Sequence, residues 1–231
     1  MVTQEQIAHF IHSIPAVPAV LKETLAHIRN GELTKAARCA DEDPALKLYL
    51  KTLINRPAYG FRSEITNTSQ IFSILGTSGS YQLLCNYLLN LAAPSQWSLF
   101  PLSPTAFYDL QASLGQRWEK ILIHLNLQNH ETQSAVSLLP ASIIVCDALF
   151  GAHRAEVEEL RSVKALDYNT ILQRLSRRSL FDICDEIAAK WELSPLSARI
   201  VHAASGLDDQ ISGDEKKLAQ WMHLLLFFEL S

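Results

Sequence analysis

No two of the four cysteines, Cys39, Cys85, Cys146 and Cys184, stand close enough in sequence for a zinc knuckle or a redox pair. The expectation is four reduced, mostly buried thiols in a cytoplasmic protein. Charge of one sign is also scarce: the net charge is −4 and the pI about 6.1, which argues against a general nucleic-acid surface. No unbroken apolar run is long enough to cross a bilayer, and Leu224 to Leu230 is too short. The start of the chain has no basic segment leading into an apolar core, so neither membrane nor export is expected. Asn67-Thr68-Ser69 is then a chance glycosylation tripeptide. Period-two alternation of β-branched residues is missing, as are internal repeats and low-complexity tracts. There is no G-x-S-x-G elbow for a hydrolase serine.

What is present is apolar spacing at helical period. With 48% of its 231 residues apolar, the chain can bury a sizeable core. Helices are predicted over Thr3 to His12, Pro18 to Asn30, Thr34 to Ala40 and from Asp43 to Pro57. Another pair covers Thr68 to Gly76 and about Thr77 to Ala92. Three prolines crowd Pro94 to Pro104, and this stretch is the expected boundary between an N-terminal lobe, about 1–93, and a C-terminal lobe, about 104–231. Further helices are predicted over Ser103 to Leu125, Thr132 to Phe150 with a kink at Pro140, His153 to Lys164, Asn169 to Leu175, Ser179 to Trp191, Pro195 to Ala204 and Gly213 to Leu230. The fold class is all-α, an irregular two-lobed helical bundle.

Asp43 to Gly76 organises the chain. Asp43 can cap a helix, and Pro44 suits the first helical position because it gives up no needed donor. Leu46, Leu50 and Leu53 form an apolar face, and Pro57 ends the helix. Asp43-Pro44-Ala45-Leu46, then Leu50 through Asn55, Ala58-Tyr59-Gly60, and Ile65 through Gly76 together resemble the HDOD family, the HD-related output domain of bacterial signalling proteins. Ile14-Pro15-Ala16-Val17-Pro18 is similar to that family's opening segment. Arg56 stands where the family has serine, and the resemblance covers roughly residues 10–92.

The resemblance implies an HD-like fold without HD chemistry. An active HD centre holds a divalent metal with imidazoles and carboxylates, and the metal activates water against phosphorus. This chain has no His-Asp dipeptide, and Leu138-Leu139-Pro140-Ala141 stands where the ligand pair belongs. The upstream ligand position falls near Trp118-Glu119-Lys120, and later ones near Phe181, His202 and Leu225-Leu226. The chain is therefore expected to be no enzyme and to carry no metal or cofactor. It would act as a bacterial signalling module that binds another protein, with no receiver, cyclase or phosphodiesterase domain attached. Tyr59, Phe61, Trp97 and Phe100, in a groove between lobes, are the candidate partner contacts. Packed aromatics are the competing reading for these four. Arg174, Arg177 and Arg178 are a candidate contact for an anion, a nucleotide or a cyclic dinucleotide, set against a solvated helix face.

The alternative is a degenerate HD phosphohydrolase with relocated ligands, for instance His124, His130, Asp147 and His202. His9 and His12 share a helix face and could bind zinc, although surface histidines are the simpler reading. His124 and His130 also suit a helix end. Gly76 to Ser80 is rich in glycine and serine but lacks the P-loop lysine, so a turn between helices is preferred to a phosphate cradle. Cys184 lies between Asp182 and Asp185, which disfavour a thiolate. The helix from Trp221 to Leu230 is apolar nearly all round and needs a cover.

Overall fold

The structure, a computed structural model, describes residues 2–204 and 213–230, without the side chains of residues 58, 130 and 226–230. Among the described residues there is no strand, and the architecture is all-α. The helices are α1 (Gln4–Ser13), α2 (Ala19–Arg29), α3 (Leu33–Ala40), α4 (Pro44–Ile54), α5 (Thr68–Ala92), α6 (Pro104–Leu125), α7 (His130–Ser134), α8 (Leu138–Phe150), α9 (Arg154–Lys164), α10 (Tyr168–Ser176), α11 (Leu180–Lys190), α12 (Pro195–Ala204) and α13 (Gly213–Leu230).

Local chemistry sets the helix starts. Thr3 and Gln6 form a capping box on α1, and Ser179 and Asp182 form another on α11. Asp43 Oδ1 accepts the amides of Ala45 at 2.8 Å and Leu46 at 3.1 Å, so the expected cap is present. α5 is broken at Gly76, whose φ of 64° and ψ of −172° lie outside the helical region. The expected break thus sits at Gly76, but residues 77–80 belong to the helix and form no separate turn.

The chain divides into two compact units, each built from separated stretches. One comprises Met1–Pro15, Ala92–Phe107 and Leu138–Ser231; the other comprises Ala16–Leu91 and Tyr108–Ser137. This corrects the expected division at Pro94 to Pro104. In the first unit α1 packs on α8 and α11. Lys190 Nζ donates to the Ile11 and His12 carbonyls at 2.8 and 2.9 Å, and Trp191 Nε1 to the Pro15 carbonyl at 3.0 Å. Sequence distance hid these contacts, which span more than 170 residues. In the second unit, Arg56 pairs with Asp109 at 3.2 Å and Trp118 Nε1 donates to the Thr132 carbonyl at 2.6 Å.

α8 is the core helix of the first unit, with Leu138 through Asp147 all buried. Pro140 does not kink it. It lies in the first turn, where its missing amide would have had no partner; the irregularity falls just before, in a 3₁₀ turn over Ala135–Ser137. The helical stretch Glu131–Lys164 has a mean hydropathy of 1.9 over eighteen residues, enough by length and composition to span a bilayer. Ser137, Ser142 and Asp147 interrupt the stretch, so it holds no unbroken apolar run of that length, and 83% of the window is buried inside the protein, as in a core helix.

In α13, Leu218, Ala219 and Met222 are buried while Trp221 and Leu224 are exposed. The rest of its apolar surface, on 226–230, lies outside the described side chains.

Candidate functional site: a carboxamide-lined cleft

The second unit contains a cleft of about 520 Å³. One wall comes from the loop after α4. Asn55 fixes that loop by bracketing Ile65: its Nδ2 donates to the Ile65 carbonyl at 2.8 Å and its Oδ1 accepts the Ile65 amide at 2.7 Å. Between them a 3₁₀ turn, Pro57–Tyr59, is closed by Gly60 at φ 69°, and Tyr59 and Phe61 reach the cleft. Beside them stand Ile74 and Leu75 of α5.

The opposite character comes from carboxamides. Beyond the Gly76 break, α5 contributes Gln82 and Asn86; α6 contributes Gln116 and Glu119; Gln128, Asn129 and Gln133 follow. Asn86 and Gln133 are the most deeply buried of these polar groups, 5% and 9% exposed. Gln133 Nε2 donates to Gln82 Oε1 at 2.9 Å. Gly115 makes room for this pair, since a Cβ there would stand 2.3 Å from Gln82 Nε2. Among the described residues lining the cleft there is one ionisable carboxylate, Glu119, and no lysine, arginine or histidine. Burial pushes the Tyr59 phenol up to about 12, with Arg56 working against it, so the hydroxyl stays a neutral donor.

A buried polar cluster supports the same unit. Asn90 Nδ2 donates to the Tyr49 hydroxyl at 3.1 Å and to Gln111 Oε1 at 3.2 Å. The Tyr49 ring lies 4.9 Å from Tyr87 and 6.1 Å from Tyr108, and the Arg56 guanidinium sits over Tyr108.

The other expected site residues lie elsewhere. Tyr59 and Phe61 line the cleft of the second unit, whereas Trp97 and Phe100 belong to the first unit. Trp97 packs on Phe107, with ring centroids 5.0 Å apart, and Phe100 meets Tyr168 edge-on at 5.5 Å. Their loop is held by Asp147, whose carboxylate accepts the backbone amides of Ser98, Leu99 and Phe100 at 3.0, 2.7 and 3.3 Å. Arg178 pairs with Glu186, Arg177 is the left-handed cap of α10 at φ 59°, and Arg174 is exposed. His9 lines a second cavity of about 400 Å³, near His153, and His12 is exposed.

His202 faces Asp185 at 3.9 Å. Burial raises the Asp185 carboxyl, and His202 opposes that shift. His124 is exposed, and the His130 side chain lies outside the described residues. Among the described residues, no three histidines, cysteines or carboxylates gather where they could hold a metal ion. Cys184 is buried, with its thiol against the Leu138 carbonyl, and burial raises it well above the ordinary range.

Sequence reading missed the carboxamides because the second half of α5 read only as apolar. The signal was there: Gln82 and Asn86, four apart, share a helix face inside an otherwise apolar run.

No protein-family model and no curated protein matches this chain. Solved structures do. One, from Geobacter sulfurreducens, is an HDOD domain protein of unknown function, with a TM-score of 0.70 at 13% identity over 97% of this chain and 76% of that one. The fold is HDOD-like. A second structure, from Shewanella amazonensis SB2B, is named a "putative phosphohydrolase" and has a TM-score of 0.73 at 14% identity, covering 96% of this chain and 80% of that one. The HDOD-like fold accounts for the motif from Asp43 to Gly76, whose pieces become α4, the bracketed loop and the first half of α5.

Proposed function

We propose that this HDOD-like chain is a non-catalytic signal-transduction output module of a bacterial cytoplasm, acting by binding another protein. The observation that carries the reading is what stands where HD chemistry needs ligands. Pro140 and Ala141 are buried in α8 and offer no donor to a metal. Asp147, on the same helix, has its carboxylate engaged by three backbone amides and is 4% exposed. A relocated phosphohydrolase centre built on Asp147 would require that carboxylate to leave these bonds. A nucleotide ligand is less well served than a protein, because the cleft has no basic lining and Arg178 is already paired.

The test is a hydrolysis assay of the purified chain on cyclic di-GMP, nucleoside triphosphates and bis-p-nitrophenyl phosphate, with manganese, iron or zinc supplied. No turnover is expected. Turnover that disappears in His202→Ala would overturn the proposal and favour the degenerate phosphohydrolase.

A further inference from the structure

We infer that the cleft of the second unit takes an extended peptide segment from the partner, anchored by an apolar side chain and free of acidic residues. The inference rests on the reading of the chain as a partner-binding module and names what the partner must present.

Three features argue for it. First, carboxamides dominate the polar lining, and each carries both donor and acceptor, as a peptide group does. Gln133 Nε2 is spent on Gln82 and Asn86 Oδ1 accepts the Ser137 hydroxyl, so a backbone entering the cleft meets the Asn86 amide and the Gln133 oxygen, without a charge being buried. Second, the apolar wall is open at its rim: Phe61 is 40% and Ile74 44% exposed, and both meet the cleft. An apolar side chain laid against them would cover that surface while its backbone reaches the carboxamides. Third, the electrostatics select by sign. Glu119, exposed, is the one ionisable carboxylate and no cation is among the lining residues, so a carboxylate or phosphate entering the cleft finds no counter-charge in its lining. A lysine or arginine near Glu119 is favoured. The volume, about 520 Å³, admits a side chain and the backbone beside it rather than a domain face.

Gly115 supplies a variant that leaves the fold in place. Alanine improves helix propensity at this position, while its Cβ would displace the Gln82 carboxamide and break the bond to Gln133. The experiment is selection of a random dodecapeptide phage library on the purified chain, followed by fluorescence-polarisation titration of the recovered peptides.

The expected peptides share an aliphatic or aromatic anchor and lack aspartate and glutamate. Gly115→Ala should stay folded, with a melting temperature within a few degrees of the parent's, because better helix propensity offsets the lost Gln82–Gln133 bond, and should bind the peptides roughly tenfold more weakly. Glu119→Lys should weaken basic peptides and admit acidic ones. The inference is overturned if no peptide is enriched, or if enriched peptides bind Gly115→Ala and Glu119→Lys as they bind the parent. It is overturned too if adenosine or guanosine, and no peptide, binds in a Gly115-dependent manner, which would make the cleft a heterocycle site. None of these failures touches the claim that the chain is non-catalytic, which the hydrolysis assay decides separately.

Discussion

Asp147 Oδ1 accepts the Leu99 amide at 2.7 Å, and this one carboxylate organises the loop that carries Trp97 and Phe100. A charged group within the apolar run from Leu138 to Phe150 has to be compensated, and three amides of a proline-bounded loop do it. Asp147→Ala should therefore destabilise the protein by roughly 3 kcal/mol or more, since hydrogen bonds to a charged acceptor each contribute about 1.5–3 kcal/mol. Asp147→Asn should cost less, because one oxygen still accepts. Urea unfolding reads both, and an alanine variant as stable as the parent would show that the loop is held by something else.

Two glycines predict different costs for the same chemical change. A Cβ on Gly76 meets nothing within 4 Å, so the cost of Gly76→Ala lies entirely in the backbone at φ 64° and ψ −172°. Such conformations cost of the order of 1–3 kcal/mol for a residue with a side chain. For a chain this long the melting temperature should fall by several degrees, roughly 2–4 °C for each kcal/mol. Gly115→Ala, in regular helix, should fall less, because better helix propensity offsets the lost Gln82–Gln133 bond. Equal stability of Gly76→Ala and the parent would mean that the break in α5 does not need glycine.

Burial pushes the Cys85 thiol up to about 12 from an ordinary value of 9.0, and Cys39, Cys146 and Cys184 move the same way for the same reason. These thiols should ignore thiol-specific reagents in the native protein at pH 8 and react, all four, after denaturation. The sign of the linkage follows from the direction. Between about 9 and 12 the native state keeps protons that the unfolded chain has released, so stability falls as pH rises. The urea midpoint under reducing conditions should drop from pH 8.5 to pH 10.5. Rapid native labelling at pH 8 would contradict the burial of these side chains.

The parts of the fold that were legible were local. The Asp43 cap, the Pro44 start, the Gly76 break and most helix ends could be read because each depends on residues within a few positions. The division into units could not, because Lys190 reaching Ile11 and Gln133 reaching Gln82 are events between distant stretches. The Pro140 kink was misjudged for a similar reason: a proline in a long apolar run looks interior until the 3₁₀ turn before Leu138 shows that the helix starts there.

At the candidate site, Tyr59 and Phe61 were legible as aromatics around a flexible glycine. Trp97 and Phe100 were drawn to them by type, whereas the structure gives those two to Phe107 and Tyr168 of the other unit. The carboxamides were hidden because uncharged polar residues leave little trace in an apolar pattern.

The most direct test of the non-catalytic reading is the metal content of the purified chain after growth with added manganese, iron and zinc. Far less than one equivalent of each is expected, since Pro140, Ala141 and the amide-bound Asp147 give a metal no purchase. A stoichiometric metal that survives dialysis would contradict the reading and place a working centre in the chain.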